Sequence, residues 1–313
     1  MSVEKSPGSM NKHHYAFGML PLTLSVSGRV NVAGLGWQVI QLMLALTLFM
    51  FSGNAMANNR EPQQIALVGT WTHIPDAPAV QKPAHPSEGL YRLRVNGDGT
   101  LTLLNVIKMK SPSWVVTSRD GRFAYVTNEE DAGTVTALAI DKDGSLRVLN
   151  TVISAGRQPT HATLSPDGKF LFVANYSVAK GGAGVTVLPI RSDGTLGERV
   201  QHYPFIPGSG IVQGRQEGGH AHSTTFSRDG QYLYAADLGG DKLHAYRYRP
   251  DNAQPLQADA SRDVGFAPGV GPRHMVFSPE GEYAYVITEM AGEIEAFAVS
   301  DHRLTRQGNV KLN

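Results

Sequence analysis

The chain has 313 residues, 41% hydrophobic and 18% charged, with 28 Lys+Arg against 27 Asp+Glu for a formal net charge of +1. So balanced a chain offers no basic field to hold a polyanion, and a nucleic-acid partner is not expected. Cysteine is absent, which excludes disulfides, Cys-ligated zinc, iron–sulfur clusters and thiol catalysis, and lets the chain fold in an oxidising compartment.

The amino terminus differs from the rest. Lys5, Lys12 and Arg29 precede an apolar run of 13 residues, 39–51, which is followed by Ala55-Met56-Ala57 and then by polar Asn58-Asn59-Arg60. A basic start, a short apolar stretch and a small-x-small site have the layout of a secretory signal peptide. The run is short for a helix that crosses a bilayer. Residues 1–57 are therefore expected to be a leader cut after Ala57, 58–63 a short linker and 64–313 the mature domain, exported to a periplasm without stable membrane insertion. An uncleaved anchor is the alternative.

From residue 64 onward the chain repeats. Four segments align on a Ser-x-Asp/Glu-Gly turn: Pro112-Ser-Trp-Val-Val-Thr-Ser-Arg-Asp-Gly121, Pro159-Thr-His-Ala-Thr-Leu-Ser-Pro-Asp-Gly168, Ala221-His-Ser-Thr-Thr-Phe-Ser-Arg-Asp-Gly230 and Pro272-Arg-His-Met-Val-Phe-Ser-Pro-Glu-Gly281. Their glycines are 47, 62 and 51 residues apart. A β run follows each turn (Phe-Ala-Tyr-Val, Phe-Leu-Phe-Val, Tyr-Leu-Tyr-Ala, Tyr-Ala-Tyr-Val), then a third strand, then an Asp-Gly turn at Asp143-Gly144 and Asp193-Gly194. Asp98-Gly99 marks the same turn in an earlier, partial unit. Asp-Gly suits the positive φ of hairpin turns. Four short strands repeating at this period predict an all-β fold, a β-propeller of four-stranded blades with about five units between Gln64 and Asn313. A Pro-rich loop at 73–88 and a Gly-rich loop at 204–219 interrupt the repeat, and long loops in such a fold tend to lie near a site.

The hairpin geometry selects candidate residues. The start of the first strand and the end of the second lie together, away from the turn, and in a propeller they ring the central channel. They are Ser113 and Trp114 with Asn128 and Glu129, Thr160 and His161 with Asn175 and Tyr176, His222 and Ser223 with Asp237, and Arg273 and His274 with Thr288 and Glu289. The bland alternative is that these polar groups only tie blades together. His73, His85, His202, His244 and His302 read as surface or loop residues. His220-Ala-His222 has the alternate spacing of a strand-borne ligand pair, with Asp237 as the one evident third ligand, but no metal or other cofactor is expected.

Nine motifs then occur in order: Gly69-Thr-Trp-Thr72, Asn128-Glu129, Pro159-Thr-His161, Ala174-Asn-Tyr176, Arg215-Gln216, His220-Ala-His222, Asp237-Leu-Gly-Gly-Asp241, Gly271-Pro-Arg-His274 and Glu289. Together they resemble the seven-bladed β-propeller lactonase family, which includes 6-phosphogluconolactonases, gluconolactonase-like proteins and a carboxymuconate lactonizing enzyme. The resemblance covers residues 64–300 and departs in two places. Gly219 stands where members usually carry Pro before His-Ala-His, a change expected to loosen the loop. A seven-bladed member would also continue for roughly two more units, so an incomplete propeller with two open edges is expected.

The resemblance implies a small-molecule lactone as partner and hydrolysis in the channel mouth. By matching positions, Glu289 and His222 are the candidate bases, with Glu129 nearly equivalent to Glu289, and Arg273 is the charge clamp. His161, Asn175, Tyr176, Asp237, His220 and His274 complete the substrate-binding set. An exported enzyme points to an unphosphorylated sugar lactone such as gluconolactone. A muconate-type lactonizing isomerase and a non-catalytic binding platform are the alternatives.

Overall fold

A computed structural model describes residues 64–72, 87–176 and 183–312. The chain divides into Met1–Arg60 and Glu61–Asn313, and every described residue belongs to the second unit. The leader, the linker and residues 73–86 of the Pro-rich loop, with His73 and His85, lie outside the described residues. No helix among the described residues is long and apolar enough to cross a membrane.

The described residues form five antiparallel sheets. The first holds β1 (Ile65–Val68), β2 (Gly89–Val95) and β3 (Leu101–Lys108) in that order. The second holds β4 (Pro112–Thr117), β5 (Phe123–Asn128), β6 (Thr134–Ile140) and β7 (Leu146–Ile153). The third holds β8 (Pro159–Leu164), β9 (Phe170–Asn175), β10 (Gly184–Pro189) and β11 (Gln201–Pro204). The fourth holds β12 (Ala221–Phe226), β13 (Tyr232–Asp237), β14 (Lys242–Tyr248) and β15 (Leu256–Ala258), with the short β16 (Val264–Gly265) also on β14. The fifth holds β17 (Pro272–Phe277), β18 (Tyr283–Thr288), β19 (Glu293–Ser300) and β20 (Arg303–Lys311). Strands β4, β8, β12 and β17 begin successive blades and pack against one another, β4 on β8, β8 on β12 and β12 on β17. The all-β propeller read from the repeat is the fold observed.

Three of the four repeated turns are closed by both of the residues that define them, and in the fourth the Ser278 hydroxyl alone accepts the Tyr283 N–H at 3.1 Å. In the second blade Ser118 Oγ donates to Asp120 Oδ1 at 2.6 Å and accepts the Phe123 N–H at 3.0 Å, while Asp120 Oδ1 accepts the Arg122 N–H at 3.1 Å. The same three bonds recur at Ser165, Asp167 and Phe170, and at Ser227, Asp229 and Tyr232. The turn glycines Gly121, Gly168, Gly230 and Gly281 have φ of 69, 72, 71 and 81°, a backbone region open to glycine at little cost.

The core is a series of layers between blades. Phe170, Phe172 and Ala174 face Leu233, Ala235 and Tyr246 of the next blade, whereas Leu171 and Val173 of the same strand face Tyr125 and Val135 of the previous one. Strand β9 is buried at every position, which is why Phe-Leu-Phe-Val reads as a continuous apolar run. Strand β18 has the same kind of sequence but alternates. Ala284 and Val286 are buried against the fourth blade, while Tyr283, Tyr285 and Ile287 are exposed, as is Val276 beside them. In the first sheet β1 has no inner neighbour among the described residues.

Phe172 and Tyr285 occupy equivalent positions in their blades, so the layered core makes a differential prediction. Phe172→Ala is expected to cost about 3–5 kcal/mol, the range for emptying a buried aromatic site. Tyr285→Ala, on the exposed face, is expected to cost under about 1 kcal/mol. Urea unfolding of both variants beside the parent chain checks this, and equal losses would contradict the layered core.

Candidate active site

All four inner hairpins share an irregularity at the end remote from the turn. Pro112 pairs with Asn128 and Trp114 with Thr127, which leaves Ser113 unpaired between them. The same shift leaves out Thr160 between Pro159 and His161, His222 between Ala221 and Ser223, and Arg273 between Pro272 and His274. A β-bulge re-aims the side chain of its extra residue. His222 and Arg273 therefore hold the same structural position in successive blades, with Ser113 and Thr160 as their counterparts. The partner strands carry a second equivalent set just beyond their ends, in Glu129, Tyr176, Leu238 and Glu289.

These positions bring most of the expected site together. Glu289 is held by two guanidiniums: Arg273 Nε donates to its Oε2 at 2.9 Å and Arg215 Nη2 donates to its Oε1. Arg215 Nη2 also donates to the Tyr176 hydroxyl at 3.1 Å. His222 Nε2 lies 3.8 Å from Glu289 Oε2, an electrostatic contact too long for a hydrogen bond. Behind them is a wall of rings: Trp114 and His161 have centroids 4.2 Å apart, His161 and His274 5.4 Å, and His222 and His274 5.0 Å. Tyr176 stacks on His220 at 4.4 Å and meets His222 edge-on at 5.6 Å.

The environment sets the protonation of each group. Burial, then the Arg273 charge, then His274 push His222 down to about 3. Burial followed by Arg273 takes His274 to about 4. Burial likewise lowers His220, and it lowers His161 well below the ordinary imidazole value, with His274 and His222 adding to the effect. All four are neutral at pH 7. His161 Nδ1 accepts the Thr224 N–H at 3.3 Å, so its proton sits on Nε2. His220 Nδ1 lies 2.6 Å from the Tyr176 carbonyl, which can only accept, so Nε2 carries the lone pair. The two carboxylates are driven apart. Burial raises Glu129 against hydrogen bonds to Ser113 and Trp71, the latter 3.0 Å from Trp71 Nε1. Burial alone would raise Glu289 too, but Arg215 and then Arg273 hold it below the usual carboxylate range.

Two candidates point elsewhere. Asp237 Oδ1 accepts the His220 and Gly240 N–H groups, both at 2.9 Å, and Oδ2 lies 3.2 Å from His244 Nε2. Asn175 is fully buried, its amide donating to Thr186 Oγ1 at 3.1 Å and to the Val173 and Gly184 carbonyls. Asn128 and Thr288, the equivalent residues of their blades, also bond inward, to the Lys110 carbonyl and to Glu293. This position fastens the strand end, so Asp237 and Asn175 face the blade rather than the mouth. With both its oxygens engaged, Asp237 is not the free third ligand that a metal on His220 and His222 would need. No group of three or more metal-ligating side chains is gathered among the described residues. His202 and His244 are not loop residues: they sit on β11 and β14, with His244 stacked on Phe205 at 4.2 Å. A cavity of about 1070 Å³ opens at the other end of the hairpins, but Asp120, Asp167 and Asp229 on its wall are committed to the turns.

Arg215 and Trp71 were not among the site residues chosen from strand geometry. Both lie in irregular segments, where no period places a side chain; their signal in the sequence is their place in the ordered motifs Gly69-Thr-Trp-Thr72 and Arg215-Gln216. Nor is that loop loosened at Gly219. A Cβ there would come within 2.5 Å of the Phe205 Cβ, so the glycine permits a close approach.

The sequence profile of "Lactonase, 7-bladed beta-propeller" matches residues 65–312. A 6-phosphogluconolactonase of Formosa agariphila is 30% identical over 70% of this chain and 62% of its own length. One of Bacillus subtilis is 35% identical over 60% of this chain and 52% of its own. The chain thus spans less than two thirds of the length of these relatives. Among solved structures, the Pseudomonas aeruginosa periplasmic gluconolactonase PpgL superposes with a TM-score of 0.73 and 37% identity, over 80% of this chain and 68% of that one. Blade architecture, ordered motifs and profile agree: the chain belongs to the seven-bladed β-propeller lactonase family.

Proposed function

We propose that this protein hydrolyses an unphosphorylated sugar lactone of the gluconolactone kind in the periplasm. The observation that carries the reading is the convergence of Arg215 and Arg273 on Glu289, beside a second carboxylate, Glu129, whose basicity burial has raised. Two guanidiniums against one low-pKa carboxylate leave positive charge at the mouth for an oxyanion. The name of the Pseudomonas neighbour and the leader pattern of residues 1–57 support the compartment.

A general base works best with a pKa near the working pH. Of the candidates, Glu289 is held low by two arginines and His222 is depressed to about 3, whereas Glu129 is raised. Glu129 is therefore the better base, and Glu289 the counter-ion that holds the arginines in place. Water attacks the lactone carbonyl carbon and gives its proton to Glu129. The carbonyl oxygen becomes an oxyanion facing Arg273. Its collapse breaks the bond from that carbon to the ring oxygen, which takes the proton back from Glu129, and an open-chain hydroxy acid leaves. The neutral rings of Trp114, His161, His222 and His274 supply an apolar wall and uncharged hydrogen-bonding groups for a polyol. The Arg pair also suits a diacid, so muconate-type lactonization is the second reading.

Arg273→Ala and Glu129→Gln are each expected to lower kcat/KM on gluconolactone by at least about 100-fold, the usual cost of losing an oxyanion donor or a general base. Glu129→Gln should also remove the acid limb of the pH–rate profile, because activity falls as Glu129 protonates. Muconate substrates assayed in parallel separate the second reading. Intact turnover in both variants would overturn the site, and a protein that turns over neither substrate class would favour a binding platform.

Buried neutral imidazoles also make a stability prediction. An unfolded histidine titrates near 6.5 and folded His274 near about 4, so the unfolded state binds more protons between these values. Stability is fully present above pH 6.5 and is lost as pH falls toward 4. Urea midpoints measured across this window should fall with pH, and His274→Gln should flatten the slope.

A further inference from the structure

Asp241 ends the Asp237-Leu-Gly-Gly-Asp241 motif, takes no part in the proposed chemistry and touches no mouth residue directly. It is buried, with a left-handed φ of 51°, just before β14. Its Oδ1 accepts Gln216 Nε2 at 2.9 Å and the Gly271 N–H at 2.7 Å, and its Oδ2 accepts the Gly269 N–H at 2.8 Å. Three donors from two loops thus converge on one carboxylate. Each loop runs directly into one of the arginines on Glu289: Gln216 follows Arg215, and Gly271 stands two residues before Arg273.

The surroundings leave both loops little freedom. Gln216 is fully buried, its Nε2 also donates to the Leu238 carbonyl at 2.9 Å, and its Oε1 accepts the Val212 N–H at 3.2 Å. A Cβ at Gly239 would run into the Gly218 carbonyl oxygen, and one at Gly271 into the Met290 side chain. The 204–219 loop is therefore seated backbone against backbone on the turn that carries Asp241. Only a carboxylate accepts from all three donors, because an asparagine amide would set N–H against N–H at one of them.

We propose that Asp241 is a positioning residue: by holding Gln216 and the 269–271 turn on a single carboxylate, it sets Arg215 and Arg273 at the spacing from which both grip Glu289. The kinetic part of its test rests on the lactonase reading; the conformational part does not.

Trypsin can cut after Arg215 only when the 204–219 loop leaves its seat, and such cleavage follows the population of the open form. In both Asp241→Asn and Gln216→Ala, cleavage after Arg215, followed by mass spectrometry, is expected to quicken by about tenfold or more, while cleavage after Arg119 in a repeat turn is unchanged. In kinetics, Asp241→Asn should lower kcat/KM on gluconolactone about as far as Arg215→Ala, and the double variant should lose little more, since residues acting as one unit are not additive. A residue that served stability alone would give additive losses. Additive losses, or unchanged cleavage after Arg215 in both variants, would overturn the proposal. If the parent chain turns over no lactone, the proposed function fails and the cleavage arm alone decides the role of Asp241. Should Asp241→Asn not fold, Gln216→Ala, which removes one arm of the network, carries the same test.

Discussion

The inner hairpin is the unit on which the rest depends, because it is pinned at both ends by different means. At one end a serine hydroxyl and an aspartate close the turn, and a left-handed glycine reverses the chain. At the other an extra residue bulges from the first strand while a buried polar side chain fastens the end of the second. Both devices recur blade after blade, so the scaffold can vary one bulged residue without disturbing the hairpin that presents it. Ser113 and Thr160 occupy that position quietly. His222 and Arg273 occupy it in the next two blades, and there the chemistry gathers.

What the bulge presents is then tuned by burial and charge. Three imidazoles, His161, His222 and His274, are crowded together, and each proton added to one would meet Arg273 or another ring. The wall therefore stays neutral, and the fixed charges stand out against it. Glu289 spends its two oxygens on two arginines and loses basicity, while Glu129, bonded only by neutral donors and buried, gains it. Two carboxylates in one mouth so acquire different roles from their neighbours alone.

Much of this was legible in the sequence, and the remainder was hidden for definite reasons. The Ser-x-Asp/Glu-Gly turns, the two-sided strands and the register that places Glu289 beside Arg273, with Glu129 and Tyr176 at the equivalent positions of their own blades, follow from local chemistry repeated at a fixed period. Asp237 and Asn175 misled because sequence position brings a residue to the mouth but does not say which way it turns; the bonds to the His220 N–H and to Thr186 decide that. Arg215 was named only by the ordered motifs, because a glycine-rich loop has no period from which to project a side chain. Its partner, Glu289, lies 74 residues away in the sequence.

That separation has a structural consequence. Arg273 and Glu289 belong to one hairpin, so their contact is local to the fifth blade. Arg215 comes from the loop leading into the fourth blade, and its bonds to Glu289 and Tyr176 join three blades across the mouth. The contact is only as constant as the packing between those blades. Tyr234, Leu243 and Ala245 of the fourth blade pack on Met275, Val286 and Phe297 of the fifth, and Phe172 and Val185 of the third pack on Leu233 and Ala235. Dense apolar layers of this kind resist small displacements, because a shift of a fraction of an ångström already forfeits dispersion contacts. The same alternation that buries both faces of β9 and β13 therefore fixes the spacing of the blades, and within that frame the 204–219 loop brings Arg215 to the carboxylate that Arg273 already holds.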